Sequence, residues 1–363
     1  MKGVKGLMIA VICVVLVVAA GLTGILVMGV MGMNPFGNFA AIGTPELVNR
    51  QVYTASELTA ISADYKMDSI TLLPSGGDEV VLEEYISDTD IRYQASISHS
   101  GGRLDIRSGE RPNFVGIFGF RSKILLYVPA SWGGDLALKS SSGGIHAEDD
   151  YAFGSLDARA TSGSVRVAGV QAAGDITLTS SSGGVSANWL NAGGDVALES
   201  TSGSVRMGKV QAAAITAHSS SGGVSFEAAK AATIDASATS GSVRLGYLDG
   251  AFTLESSSGG VHVDGGSGHG TAKAGSGSVR LTLEAVTGDL ELRSTSGGCS
   301  LNIPENTAFT IEASTSSGSV RLPDGGSVGY NQKGNQADGS YGKDPAIAIR
   351  MHATSGSVRL EWN

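Results

Sequence analysis

The sequence predicts an all-β protein whose body is a parallel β-helix of about 20-residue coils. Three observations predict it. Ser-Gly recurs at Ser142, Ser162, Ser182, Ser202, Ser221, Ser240, Ser258, Ser276, Ser296, Ser317 and Ser355, in steps of 20, 20, 20, 19, 19, 18, 18, 20, 21 and finally 38. Apolar residues alternate on both sides of each Ser-Gly, which is the pattern of short strands with one buried face. The chain has 53 glycines and only 6% aromatic residues, a composition that fits a thin repetitive core better than a compact globular enzyme.

With the serine of each Ser-Gly as position 0, positions −6 and −4 form the first strand of a coil: Leu136 and Leu138, Ile176 and Leu178, Val196 and Leu198, Phe252 and Leu254, Leu290 and Leu292. Positions +3 and +5 form the second: Val165 and Val167, Val205 and Met207, Val224 and Phe226, Val243 and Leu245, Val320 and Leu322. A third apolar site at +8 (Val170, Leu190, Val210, Leu248) marks a third short strand. Glycine at +1 is expected for a backbone turn that side chains would resist. The hydroxyls at −1 (Ser141, Thr161, Ser181, Thr201) are expected to bond turn backbone groups. They flank the turn instead of lining an open strand face, so they do not form a flat threonine ladder suited to ice.

One coil is not stable alone. Its few buried side chains contribute roughly 1.5–3 kcal/mol each, while ordering its residues costs about 1–2 kcal/mol per residue in backbone entropy. Stacking supplies the remainder, because each coil bonds to the next and the interiors join. About ten coils at roughly 4.8 Å each make a rod of about 50 Å. Position +4 reads His146, Arg166, Ser186, Arg206, Ser225, Arg244, His262, Arg280, Ser300, Arg321. With coils of about 20 residues the arginines fall two coils apart. Coils of twice that length would stack them directly, which destabilises a sheet.

The flanking segments follow in order. Residues 1–6, with Lys2 and Lys5, read as a cytoplasmic N-terminus, and 7–33 as an uncharged transmembrane signal anchor long enough to span a bilayer as a helix. No further Lys or Arg occurs before Arg50, so the positive-inside rule places the β-helix on the extracellular side of the cell membrane. A cleaved signal peptide ending near Ala19–Gly21 is the rival reading. Ile12 before Cys13 argues against a lipoprotein. Residues 34–50 read as a tether, 51–130 as an N-terminal cap with irregular first coils, and 131–363 as the regular β-helix.

Two stretches break the repeat. Residues 264–270 are glycine-rich and put Gly270 at a −6 core site, which predicts the weakest coil. Residues 323–345 replace a Ser-Gly turn with a Gly- and Asn-rich stretch, read as a loop projecting from the coils. Its Tyr330, Asn331 and Tyr341 are the candidate binding residues, since loops on a rigid scaffold often carry function; the plainer alternative is a solvated insertion. Trp362 is placed to cover the last coil, and without such a cover the exposed strand edge would invite end-to-end self-association.

The same sequence resembles a bacterial β-strand-repeat family of adhesin-like proteins, a domain of unknown function that includes LiaG-type members. The residues that carry the resemblance are Lys123-Ile-Leu-Leu-Tyr-Val-Pro129, the repeated Thr-Ser-Gly-Ser-Val-Arg at 161–166 and 201–206, and its last copy at 354–359. The resemblance covers roughly residues 55–363. It implies a right-handed β-helix, commonly behind one membrane helix, displayed on a bacterial surface. It also implies an adhesive role or an accessory role in envelope-stress signalling, and no shared catalytic residues.

No catalytic, cofactor-binding or metal-ligating set is expected. Position −3 (Lys139, Arg159, Thr179, Glu199, His218, Ser237, Glu255, Lys273, Arg293) reads as a mixed solvated ladder and not as a carboxylate cluster of a polysaccharide-cleaving site. His146 and His262 share a position but lie about six coils apart. The Ser-Gly-Ser motif lacks nucleophile-elbow spacing. Cys299 takes a core slot and is expected to be a small buried hydrophobe. A net charge of −9 argues against nucleic-acid binding. The expected function is binding or envelope structure, with a surface glycan or a membrane protein as partner and the chain's own helix in the membrane. The alternatives are the signalling role and, third, a polysaccharide-active enzyme.

Overall fold

The computed structural model describes residues 44–111 and 120–363. The predicted membrane helix at 7–33 lies outside these residues; among the described ones, no helix is long and apolar enough to cross a membrane. The described chain is an all-β solenoid, interrupted only by single 3-10 turns at Ala55–Glu57 and Ile91–Tyr93.

Strand registers give the coil length directly. Leu156 lies opposite Leu136 and Ile176 in parallel ladders, and Val165 opposite Ile145 and Val185. The step shortens to 19 residues between Val205 and Val224 and to 18 between Val243 and Val261, following the sequence repeat. The +8 site extends the second strand into a third segment, in which Val170 pairs with Leu190 and Leu190 with Val210. The apolar residues at −6, −4, +3, +5 and +8 are buried, including Ile176, Leu178, Val205, Met207 and Leu190, while Leu322 at +5 and Gly270 at −6 are half-buried. They form one continuous core along the axis.

The glycine at +1 has a different reason from the expected one. None of these glycines has a positive φ. Successive glycines stack directly instead: a Cβ on Gly183 would overlap the carbonyl of Gly163, one on Gly203 that of Gly183, and so on through Gly222, Gly241, Gly259, Gly277 and Gly297. The hydroxyls that serve this column also differ from expectation. They sit at −2, inside the core, not at −1. Ser180 Oγ donates to Gly163 O at 2.7 Å, Ser200 to Gly183 O at 2.9 Å, Ser219 to Gly203 O at 2.8 Å and Ser294 to Gly277 O at 2.8 Å. Each buried hydroxyl thereby satisfies a carbonyl that stacking removes from water.

Stacking order departs from chain order at both ends. Ala60–Tyr65 lies between Arg103–Arg107 and Asp135–Ser140. Ile347–Ala353 lies between Ala285–Ser294 and Phe309–Thr315. The C-terminal insertion has an electrostatic consequence. It places Arg350 between Glu291 and Glu312, which it separates, and pairs it with Glu312 at 3.4 Å. Stacking in chain order would set the two glutamates side by side. The insertion also ends the arginine spacing predicted at +4: Arg359 lies directly opposite Arg321, and Glu361 binds Arg359 at 3.2 Å.

Antiparallel strands close the parallel stack. Glu79–Ile86 runs antiparallel to Ser122–Val128, Glu46–Thr54 to Glu79–Ile86, and Ser96–Ser100 to Arg103–Arg107. The strand from Glu46 starts inside the stretch expected as a tether. At the other end Gln336–Tyr341 runs antiparallel to Phe309–Thr315, and Ser327–Tyr330 to Gln336–Tyr341. Residues 323–345 therefore form a hairpin that continues the sheet. Phe309, Tyr341 and Trp362 pack together there, with centroid separations of 5.0, 5.2 and 6.2 Å.

Among the described residues the N-terminal end holds two buried carboxylates, Glu84 and Asp68. Glu84 accepts from Asn49 Nδ2 at 2.8 Å, Tyr65 OH at 3.0 Å and Ala95 N at 2.8 Å. Asp68 occupies the +1 position of its coil, where later coils carry glycine. Its carboxylate pairs with buried Arg111 at 2.7 Å and accepts from Ser122 Oγ. In the glycine-rich coil Gly266 and Gly270 have φ of 128° and 140°, where side chains are strained. Phe252, the largest −6 side chain of the regular coils, precedes Gly270 in the stack.

Candidate functional site

Stacking turns each repeat position into a row along the rod, and the outward rows are its functional surface. At +4, Arg166, Arg206, Arg244 and Arg280 are exposed and separated by Ser186, Ser225 and His262. Among the described residues none of these four arginines has an ion-pair partner. The two histidines of the row are held below the usual histidine range, mainly by burial and then by neighbouring arginines: Arg166 beside His146, and Arg280 and Arg244 beside His262. A shallow groove beside Arg206 is lined by Ser186, Asn188, Gly208, Ser225 and Glu227.

The −3 row contains local ion pairs between coils. Lys139 reaches Asp64 at 3.5 Å and Lys273 reaches Glu255 at 3.3 Å. His218 Nδ1 lies 3.0 Å from Ser237 Oγ, and His352 Nδ1 3.0 Å from Ser314 Oγ. Among the described residues no group of three or more His, Cys, Asp or Glu could hold a metal ion. Cys299 is buried, with its thiol pushed up to about 12 by that burial. A thiol held protonated is a poor nucleophile.

The three residues singled out in 323–345 take different places. Tyr330 is 49% exposed at the end of its strand, and its hydroxyl accepts from Leu322 N at 3.2 Å. Asn331 builds the turn: its Oδ1 accepts from Asn335 N at 3.1 Å and its Nδ2 donates to Asn335 Oδ1 at 2.8 Å. Tyr341 points into the core, donates to Pro323 O at 2.7 Å, and has its phenol pushed up to about 12 by burial. The hairpin thus presents one exposed ring, with Asn331 shaping the turn beside it.

A further row escaped the sequence reading. Position +7 reads Gly169, Trp189, Lys209, Ala228 and Tyr247 in consecutive coils, joined in register. Position +9 on the same face reads Gln171, Asn191, Gln211, Lys230 and Asp249. Trp189 is only partly buried and Tyr247 is 41% exposed. The signal was present, since two of the chain's few aromatics share one repeat position. The apolar +8 neighbours drew attention instead.

The model of the family described as Toastrack DUF4097 matches residues 58–253 and 250–361. No curated protein matches the chain. Among solved structures, a candidate adhesin from Parabacteroides distasonis ATCC 8503 is similar at 12% identity, with a TM-score of 0.31, over 87% of this chain and 97% of that one. A candidate adhesin from Parabacteroides merdae ATCC 43184 is similar at 11% identity and a TM-score of 0.30, over 86% and 95%. One from Bacteroides fragilis NCTC 9343 is similar at 13% identity and a TM-score of 0.27, over 87% and 96%.

Proposed function

The chain belongs to the Toastrack DUF4097 family, and from that premise we propose that it is a membrane-anchored, surface-displayed β-helix that works by binding, as an adhesin or an envelope structural element. One observation carries the reading: the outward rows keep register over many coils, so the rod offers long ladders of polar side chains at a fixed spacing. Such a surface suits an extended partner, which gains one contact per coil. The apolar run at 7–33 supports an anchor, with the rod outside the cell. A right-handed coil is the expectation here, since it is the hand that twisted parallel strands favour in their crossovers.

Crosslinking the full-length protein on living cells of its own species tests the proposal. Capture of wall glycans, foreign surfaces or further copies of the chain is the expected result. Capture of one membrane sensor protein alone would replace adhesion with envelope-stress signalling. Release of sugar ends from envelope polysaccharide by the purified protein would replace it with an enzyme.

A further inference from the structure

We propose that the face formed by positions +7 and +9 binds a linear acidic glycan lying along the rod, with its sugar rings on Trp189 and Tyr247 and an anionic group on Lys209. This deepens the binding role proposed above and rests on it.

The first observation is the seat of Trp189. It lies directly opposite Gly169 in the ladder, and a Cβ on Gly169 would overlap the indole ring. The ring therefore occupies the space that glycine leaves and lies along the sheet surface, with one side toward solvent. Tyr247 is more open: a Cβ on Gly265 would meet its ring only at 3.8 Å, an ordinary contact, with Glu284 nearer at 3.6 Å. The Trp189 ring is held against backbone, and a rigid amphipathic ring binds at low entropic cost. The apolar face of a pyranose stacks on such a ring.

The second observation is spacing. Trp189, Lys209, Ala228 and Tyr247 are successive partners in register, so the two rings stand three strand spacings apart, about 14 Å. That gap spans a few sugar units of an extended chain. Small Ala228 leaves the path between the rings open.

The third observation is the polar complement. Gln171, Asn191 and Gln211 are exposed in adjacent coils beside Trp189, and among the described residues their side-chain amides make no hydrogen bonds. Amides that donate and accept suit sugar hydroxyls. Lys209 is exposed between the rings without an ion-pair partner, while Lys230 is matched by Asp249 at 3.4 Å. Asp150 closes the face beyond Gly169. Against the chain's overall charge of −9, the unmatched Lys209 ammonium between the two rings is a local positive group, and it suits an anionic substituent of an acidic glycan.

The test uses full-length protein in detergent, titrated with oligomers of hyaluronan, polygalacturonate and alginate, and with uncharged chitin oligomers as the comparison. At least one acidic oligomer should bind more tightly than chitin and change the tryptophan fluorescence. Trp189→Ala should weaken it tenfold or more and Tyr247→Ala at least threefold. Lys209→Gln should remove the preference for the acidic chain. Gly169→Val, which displaces the ring without removing it, should act like Trp189→Ala while the melting temperature of the rod stays close to the parent's. Failure of all acidic oligomers to bind, or binding unchanged in Trp189→Ala and Lys209→Gln, would overturn the assignment. Tighter binding of chitin would overturn the acidic class. If the glycan site fails while the protein still captures foreign surfaces on cells, the adhesive role stands on another face.

Discussion

At the scale of single residues the rod depends on what is missing. The column of +1 glycines lets backbone pack on backbone, and the buried serines at −2 answer the carbonyls this exposes. The two contributions differ in size. Ser200→Ala removes one hydroxyl from Gly183 O, a loss of about 1 kcal/mol. The same row already tolerates Ala160, Ala238 and Ala274. Gly183→Ala drives a methyl into the Gly163 carbonyl and should cost about 3 kcal/mol or more. Denaturant titrations of both variants check the ordering, and a Gly183→Ala rod as stable as the parent would refute the close-packing account. Sequence foresaw a glycine at +1 but gave it the wrong reason. A turn glycine and a contact glycine look alike until the next coil is in place. Asp68 takes the same position in its own coil, where its carboxylate is engaged by Arg111 and Ser122.

At the scale of the strand the period of 2 was legible and the third dimension was not. Alternation around Ser-Gly predicts Val205 inside and Arg206 outside, and the structure agrees. Val205→Asp puts an unpaired carboxylate into the core and should cost at least about 4 kcal/mol, whereas Arg206→Ser should shift stability by less than about 0.5 kcal/mol. Equal midpoints in circular dichroism melts would contradict the assignment of faces. The outward rows were harder to read, because their meaning lies between coils. Glu291, Arg350 and Glu312 become a charge ladder only through a strand order that local pattern does not encode. Trp189 and Gly169 become a seated ring only when adjacent coils are superposed. In the 323–345 stretch, the Gly- and Asn-rich composition announced a break in the repeat. It did not announce that Tyr341 would turn inward against Phe309 and Trp362.

At the scale of the whole molecule, repetition made the architecture readable and the ends made it specific. A stack of equal coils has no natural limit, so its ends must differ from its body. Here antiparallel strands at both ends deny a further parallel coil its register. The intercalated coil of residues 347–362 joins Ala285–Ser294 to Phe309–Thr315, so it contributes two interfaces and not one. Truncation before Ile347 should therefore abolish the cooperative melt of the C-terminal third, seen as a second, lower transition in calorimetry. A truncated chain with the parent's single transition would show that the coil is dispensable.

The same intercalation bears on how the rod is made. A solenoid stacked in chain order can close each coil as it leaves the ribosome or the export channel, with every addition resting on the one before. This chain cannot finish that way. Residues 309–341 emerge first, yet their proper seat is on a strand that arrives after them, and the final strand, Val358–Trp362, must slide in beside Cys299–Ile303 before the aromatic end can settle. Completion of the distal end thus waits for the last residues to be delivered, and a chain released early carries an open, unfinished tip.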